Sequence, residues 1–113
     1  MKFSKVWGLT EKLFSKNNVS IHRIEIDKGG YCSQHIHRSK YNMFYVECGK
    51  IEVQVFNGDL VDKTVLSTGE LTSVPPEKMH MFVGLEDSVV YEIYYTDLVE
   101  DDIDRFTVGG KDI

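Results

Sequence analysis

Gly29-Gly30-Tyr31-Cys32-Ser33-Gln34-His35-Ile36-His37-Arg38-Ser39-Lys40-Tyr41-Asn42-Met43-Phe44-Tyr45-Val46-Glu47-Cys48-Gly49 is the stretch on which the fold turns. Two glycines open it, a third closes it, and between them His35 and His37 stand two residues apart. On a strand, that spacing puts both imidazoles on one face, about 7 Å apart along the chain. Two imidazoles on one face can share a metal ion, and the remaining ligand must then come from a distant strand. His80 is the candidate, because it opens the apolar run Met81-Phe82-Val83 after the turn Pro75-Pro76. Imidazole suits zinc, iron, nickel and copper, while magnesium and calcium take oxygen ligands.

Outward from this stretch, strand signals dominate. Val19 to Ile26 carries Val19 and Ile21 on one face and then changes phase to Ile24 and Ile26, the mark of a bulge or of a strand buried on both sides. Met43 to Val46 and Ile51 to Phe56 are apolar runs separated by Gly49-Lys50, which reads as a tight hairpin turn. Ile51, Val53 and Val55 alternate with Glu52 and Gln54. Val61 to Leu66, Leu71 to Val74, His80 to Val83 and Val89 to Tyr95 continue the series. Short strands at regular spacing imply an all-β sandwich or barrel. Thr10 to Phe14 reads as one helical turn capped by Thr10. Residues 98–113 are acidic and then glycine-bearing, an extended or loosely packed tail.

The spacing of glycines, histidines and a proline resembles the cupin superfamily. Its first motif runs glycine, five residues, His-x-His, three or four residues, glutamate, six residues, glycine; Gly29, His35, His37, Asn42 and Gly49 match, with Asn42 in the place of the acid. Its second motif is matched by Gly69, Pro75 and His80, with Glu77 in place of a glycine and Gly84 in place of an asparagine. The resemblance implies a single-domain double-stranded β-helix, a jelly-roll barrel, over residues 1–113. It also implies a divalent transition metal (zinc, iron, nickel or manganese) on His35, His37 and His80, with Asn42 as a weak fourth ligand.

Within cupins, Trp7-Gly8, Ser33 to Arg38 and Glu100-Asp101-Asp102-Ile103-Asp104-Arg105-Phe106 are similar to the C-terminal isomerase domain of type II phosphomannose isomerases, which often follows a mannose-1-phosphate guanylyltransferase. That likeness implies a metal-dependent isomerase or epimerase acting on a sugar or sugar-phosphate-like substrate, with Arg105 folding back on the barrel. Two other readings stand beside it: a three-histidine iron dioxygenase, and a non-catalytic ligand-binding cupin. Three neutral histidines leave the ion its full charge, whereas a glutamate at position 42 would offset part of it.

Arg38 and Lys40 follow the histidine pair and are candidates to meet an anionic substrate, or are an exposed strand end. Tyr91, Ile93 and Tyr95 share one face of the last strand, Glu92 and Tyr94 the other, and Tyr91 is taken as a candidate substrate contact. Phe44, Val46 and Cys48 share parity with Asn42 and are expected to line the cavity. Cys32 has the wrong parity unless its strand bulges, and His22 is expected to face solvent or the outer sheet. Both cysteines read as reduced and partly buried.

Composition sets the outer limits. Hydrophobic residues at 42% and charged residues at 27% are ordinary globular values. A formal net charge of −5 argues against nucleic-acid or anionic-membrane partners. No apolar run approaches the roughly 20 residues of a membrane helix, and no signal-peptide core follows Met1, so a cytoplasmic address is expected. A small-molecule ligand and a homodimer, with the Trp7 segment added to a neighbour's sheet, complete the expectations.

Overall fold

In the computed structural model, which describes residues 2–96 and 106–111, nine strands run in chain order: β1 (Lys2–Lys5), β2 (Gly8–Lys16), β3 (Val19–Ile26), β4 (Tyr41–Cys48), β5 (Lys50–Asn57), β6 (Leu60–Ser67), β7 (Leu71–Val74), β8 (Met79–Gly84) and β9 (Ser88–Tyr95). They form a six-stranded sheet in the order β1-β2-β3-β9-β4-β7 and a three-stranded sheet in the order β6-β5-β8, every pairing antiparallel. The two sheets face one another as a jelly-roll barrel. Alternation decides which side chains meet inside. Ile24 and Ile26 of β3, Phe44 and Val46 of β4, and Val90 of β9 oppose Ile51 and Val53 of β5, Leu66 of β6 and Phe82 of β8. Burying each of these large side chains contributes about 1.5–3 kcal/mol, which makes this seam the main stabilising element.

The free edge of β8 is covered by residues 30–37, outside regular strand. Tyr31 bridges Val83 and His35 bridges His80, so four steps on one side match three on the other. The extra residue is a bulge, and it turns both Cys32 and His35 toward the interior. Further bulges sit at Leu13 in β2, between Lys12 and Phe14, and at Glu47 in β4, between Val46 and Cys48.

Several expectations are corrected here. Thr10 to Phe14 is the middle of β2, because its backbone pairs with β1 on one side and β3 on the other and this outweighs a marginal helical turn. Of the two readings of β3 the second holds: its register with β9 is unbroken, so Val19 and Ile21 lie on the face opposite Ile24 and Ile26, and none of its residues is exposed. Gly49-Lys50 is a corner and not a hairpin, since β4 and β5 belong to different sheets. Gly49 takes φ +97°, and a Cβ there would stand 2.3 Å from the Ser88 hydroxyl and 2.5 Å from the Asp87 carbonyl. The bulge at Glu47 turns Cys48 outward to the surface, away from the cavity. Trp7 is buried edge-on against Phe82, with centroids 5.0 Å apart, and β1 pairs with its own chain's β2. Arg105 and the acidic run Glu100 to Asp104 lie outside the described residues.

The departures in the second motif have local causes. At Gly84 a Cβ would come within 2.7 Å of both the Asp27 carbonyl and an Ile26 methyl, so the close turn after β3 forbids an asparagine. Glu77 stands where the motif has glycine and adopts the left-handed conformation a glycine would take, φ +71°. Its amide donates to the His37 carbonyl at 2.8 Å, so the strain is held where it anchors a metal-site residue. Gly84→Ala is therefore expected to cost about 2 kcal/mol, roughly 8 °C in melting temperature, while Glu77→Gly leaves it level or higher. Thermal unfolding followed by circular dichroism checks both.

Candidate metal centre

His35 and His80 are cross-strand neighbours, tied by a reciprocal backbone pair of 3.1 and 2.9 Å. Their rings lie 4.4 Å apart, and His37, on the same side as His35, completes a triangle with centroid distances of 4.9 and 5.3 Å. One ligating atom from each of the three falls within 4.8 Å of the others.

The hydrogen bonds say which atoms those are. His35 Nδ1–H donates to the Ser33 carbonyl at 2.7 Å and His80 Nδ1–H to the Lys78 carbonyl at 2.9 Å. Each bond fixes the tautomer and leaves the Nε2 lone pair free, the usual outer support of metal-binding histidines. His37 Nε2 is buried with no hydrogen-bond partner. An orphaned buried nitrogen costs about 1–3 kcal/mol, and a cation at the centre of the triangle would satisfy it. Burial, followed by the neighbouring His35 and His80, pushes His37 down to about 4; burial also lowers His80, against the Lys78 bond. His37 and His80 are thus neutral at pH 7, the form in which imidazole ligates. The donor set fits a divalent transition metal.

Asn42 is fully buried, and its Oδ1 lies 3.1 Å from His80 Nε2. With Nδ1–H committed to Lys78, both facing atoms are acceptors. Turning the amide makes Nδ2–H a donor to His80; a cation satisfies both lone pairs as they stand. The second arrangement makes Asn42 a ligand.

Glu92 and Tyr94 of β9 occupy the wall beside this cluster. Glu92 pairs across the sheet with His22 and Phe44, and Tyr94 with Ser20 and Asn42. With Trp7, Cys32, His35 and Phe82 they enclose a cavity of about 240 Å³. Glu92 is 8% exposed, and the Tyr94 hydroxyl donates to its Oε2 at 2.9 Å. Burial pushes the Glu92 carboxyl upward, with the Tyr94 bond and the His35 charge opposing it. Burial and then the Glu92 charge raise Tyr94, which stays a phenol. His22 also faces this cavity, correcting the expected solvent orientation; its Nε2 meets the Ser20 hydroxyl at 2.8 Å and its ring stands edge-on to Tyr94. Cys32 lies on the same wall, its thiol pushed up by burial to about 11 and its sulfur accepting the Phe82 amide.

The other named candidates are more scattered. Lys40 reaches over the Tyr94 ring, its ammonium 4.6 Å from the centroid. Arg38 is exposed and paired with Glu77 at 3.3 Å. Tyr91 is on the opposite face of the sheet, where its hydroxyl donates to Glu47 at 3.1 Å, so alternation excludes it from the cavity. Tyr94 is the tyrosine that points inward. Glu92 had a visible signal, as a single acid inside the apolar run Val89 to Tyr95 and in phase with Val90.

Comparisons with known proteins agree with the fold. The family model described as a cupin domain matches residues 22–94. No curated protein sequence matches the chain. Among solved structures, it is similar to KdgF from Halomonas sp., at TM-score 0.71 and 24% identity over 83% of this chain and 84% of that one. A cupin superfamily protein from Desulfitobacterium hafniense matches at TM-score 0.70 and 16% identity, over 86% and 84%. Lactobacillus farciminis oxalate decarboxylase matches at TM-score 0.72 and 22% identity over 87% of this chain, which spans 31% of that larger protein. At these identities the structures attest the barrel. With its family model covering both histidine motifs, the chain belongs to the cupin family.

Proposed function

We propose that the chain is a metal-dependent cupin enzyme of the isomerase or epimerase type, acting on a small sugar or sugar-phosphate-like molecule. The observation that carries this reading is Glu92, a buried carboxyl on the same cavity wall as His35. The phosphomannose-isomerase-like segments at Trp7-Gly8 and Ser33 to Arg38 lend it direction.

A divalent ion held by His35, His37, His80 and the Asn42 oxygen would polarise a substrate carbonyl and acidify the neighbouring C–H bond. The chain's own groups do the rest. The Glu92 carboxylate takes a proton from the carbon beside the carbonyl and, as the acid so formed, returns it on the same face to the former carbonyl carbon, while the hydroxyl proton passes from one substrate oxygen to the other. The Tyr94 hydroxyl holds the carboxylate in position through its 2.9 Å bond. Trp7 and Phe82 close one wall and keep bulk water from the transferred proton. Incubating metal-loaded protein with paired aldose and ketose phosphates tests the reading. Interconversion of at least one pair is expected, and none with any pair would overturn it.

A second reading draws on the ligand set itself. Three neutral imidazoles without a carboxylate are also suited to an iron dioxygenase. Oxygen uptake with Fe(II), lost in His80→Ala, would favour that chemistry over proton transfer.

A further inference from the structure

Resting on that reading, we infer that the substrate carries an anionic group, phosphate or carboxylate, seated in a cationic cleft between Lys16 and Lys40 on the far side of Tyr94. The cleft measures about 310 Å³ and is formed by the β2–β3 hairpin end, residues 39–40 and the end of β9. Its lining contains two lysines, several hydroxyls and amides, and no carboxylate. On a chain of net charge −5 that is a local reversal of sign.

The lysines are available to a ligand. Among the described residues, Arg23, Arg38 and Lys50 are engaged with Glu25, Glu77 and Glu86, whereas Lys16 and Lys40 form no salt bridge. Ser20 and Ser39 add hydroxyl donors at the same rim. The hairpin end itself is held by Asn17 and Asn18, both at positive φ (50° and 67°), which suits a tight two-residue turn.

Position links the cleft to the metal centre. Tyr94 is a wall of this cleft and of the cavity that holds His35 and Glu92. The Lys40 ammonium stands 4.6 Å from the Tyr94 centroid, and that centroid is 5.0 Å from the His37 ring. Lys40 and His37 therefore flank one ring, and a substrate of roughly five or six atoms passing around its edge would reach from the ammonium to the histidines. Both spaces are at or below the small end of ligand sites, which limits the substrate to a few carbons. A neutral sugar of the same size would leave both lysines unanswered.

Titration with inorganic phosphate, followed by amide NMR and calorimetry, tests the assignment, with glycerol as the neutral control. It is run on metal-free protein, so that phosphate cannot bind an ion, and repeated on zinc-loaded protein. Saturable shifts at Ser20, Lys40 and Tyr94 are expected in both forms, with at least tenfold weaker binding in a Lys16→Gln, Lys40→Gln variant. The same variant should keep its zinc content, because the hydrogen bonds of His35 and His80 go to Ser33, Lys78 and Asn42 and to neither lysine. Absent saturation, or equal affinity in the variant, would overturn the anion site. Zinc binding without phosphate binding removes this site alone; phosphate binding without metal uptake supports it and removes the catalytic reading alone.

Discussion

Replacing His35 and His37 together with alanine is expected to abolish stoichiometric metal binding, lowering zinc affinity at least 100-fold while the barrel stays folded. The size of the effect follows from the ligand count, since only His80 and the weak Asn42 oxygen remain. The fold survives because both residues lie on the irregular stretch that covers the β8 edge, outside the buried seam. His80→Ala is a less clean test: His80 is 1% exposed, and its loss leaves a cavity beside Phe44 and an unanswered Lys78 carbonyl. Elemental analysis and zinc titration provide the readout. Equally little metal in the wild type and the variant would sink the metal site without touching the fold. Because burial holds His37 near 4, its protonation should not weaken uptake between pH 7.5 and pH 6, where a free imidazole would begin to compete with the metal.

Asn42 sharpens the same experiment. Asn42→Ala is expected to change zinc affinity less than tenfold, since an amide oxygen is a poor ligand beside three imidazoles. Asn42→Glu is expected to tighten it at least tenfold by adding a charged ligand, and to lower the melting temperature of the metal-free protein by burying an unpaired carboxylate.

Local alternation and motif spacing made most of this site legible in advance. His35 and His37 share a face because their spacing is two, and a bulge does not alter that. His80 follows from its place at the head of the apolar run Met81 to Val83, just after the turn at Pro75-Pro76, a signal local to that stretch of chain. What failed depended on which strands pair. Gly49-Lys50 looks like a hairpin in any window of ten residues, and only the assignment of β4 and β5 to separate sheets makes it a corner. Thr10 to Phe14 carries a real helical cap signal, overridden by partners on both sides. The faces of β9 were separated correctly by parity, yet which face pointed inward was not legible: Tyr91 and Tyr94 differ only in which sheet lies behind them. Single-residue bulges account for Cys32 and Cys48, since each reverses parity and neither leaves a mark in composition.

Glu92→Gln is expected to cut turnover by about 10²–10⁴-fold while leaving metal content unchanged, the loss typical of removing a positioned base. The amide keeps the shape of the side chain and can still accept the Tyr94 hydroxyl, so cavity and ligands persist. Stability should move the other way. Burial raises the folded-state pKa of Glu92 above the unfolded value near 4.5, so the folded state holds this proton more tightly. Its contribution is therefore fully present below pH 4.5 and is lost as pH rises through the folded pKa. A glutamine does not titrate, so in metal-free protein Glu92→Gln should raise the melting temperature more at pH 8 than at pH 4. Tyr94→Phe separates positioning from chemistry. It removes the bond that holds Glu92 down and so moves the rising limb of the pH–rate profile to higher pH, with a rate loss nearer tenfold at the optimum. Full activity in Glu92→Gln would remove Glu92 as the base and assign the proton transfer to another group. A tenfold or smaller loss that leaves the rising limb of the pH–rate profile in place would reduce Glu92 to a positioning residue, because that limb then belongs to another group.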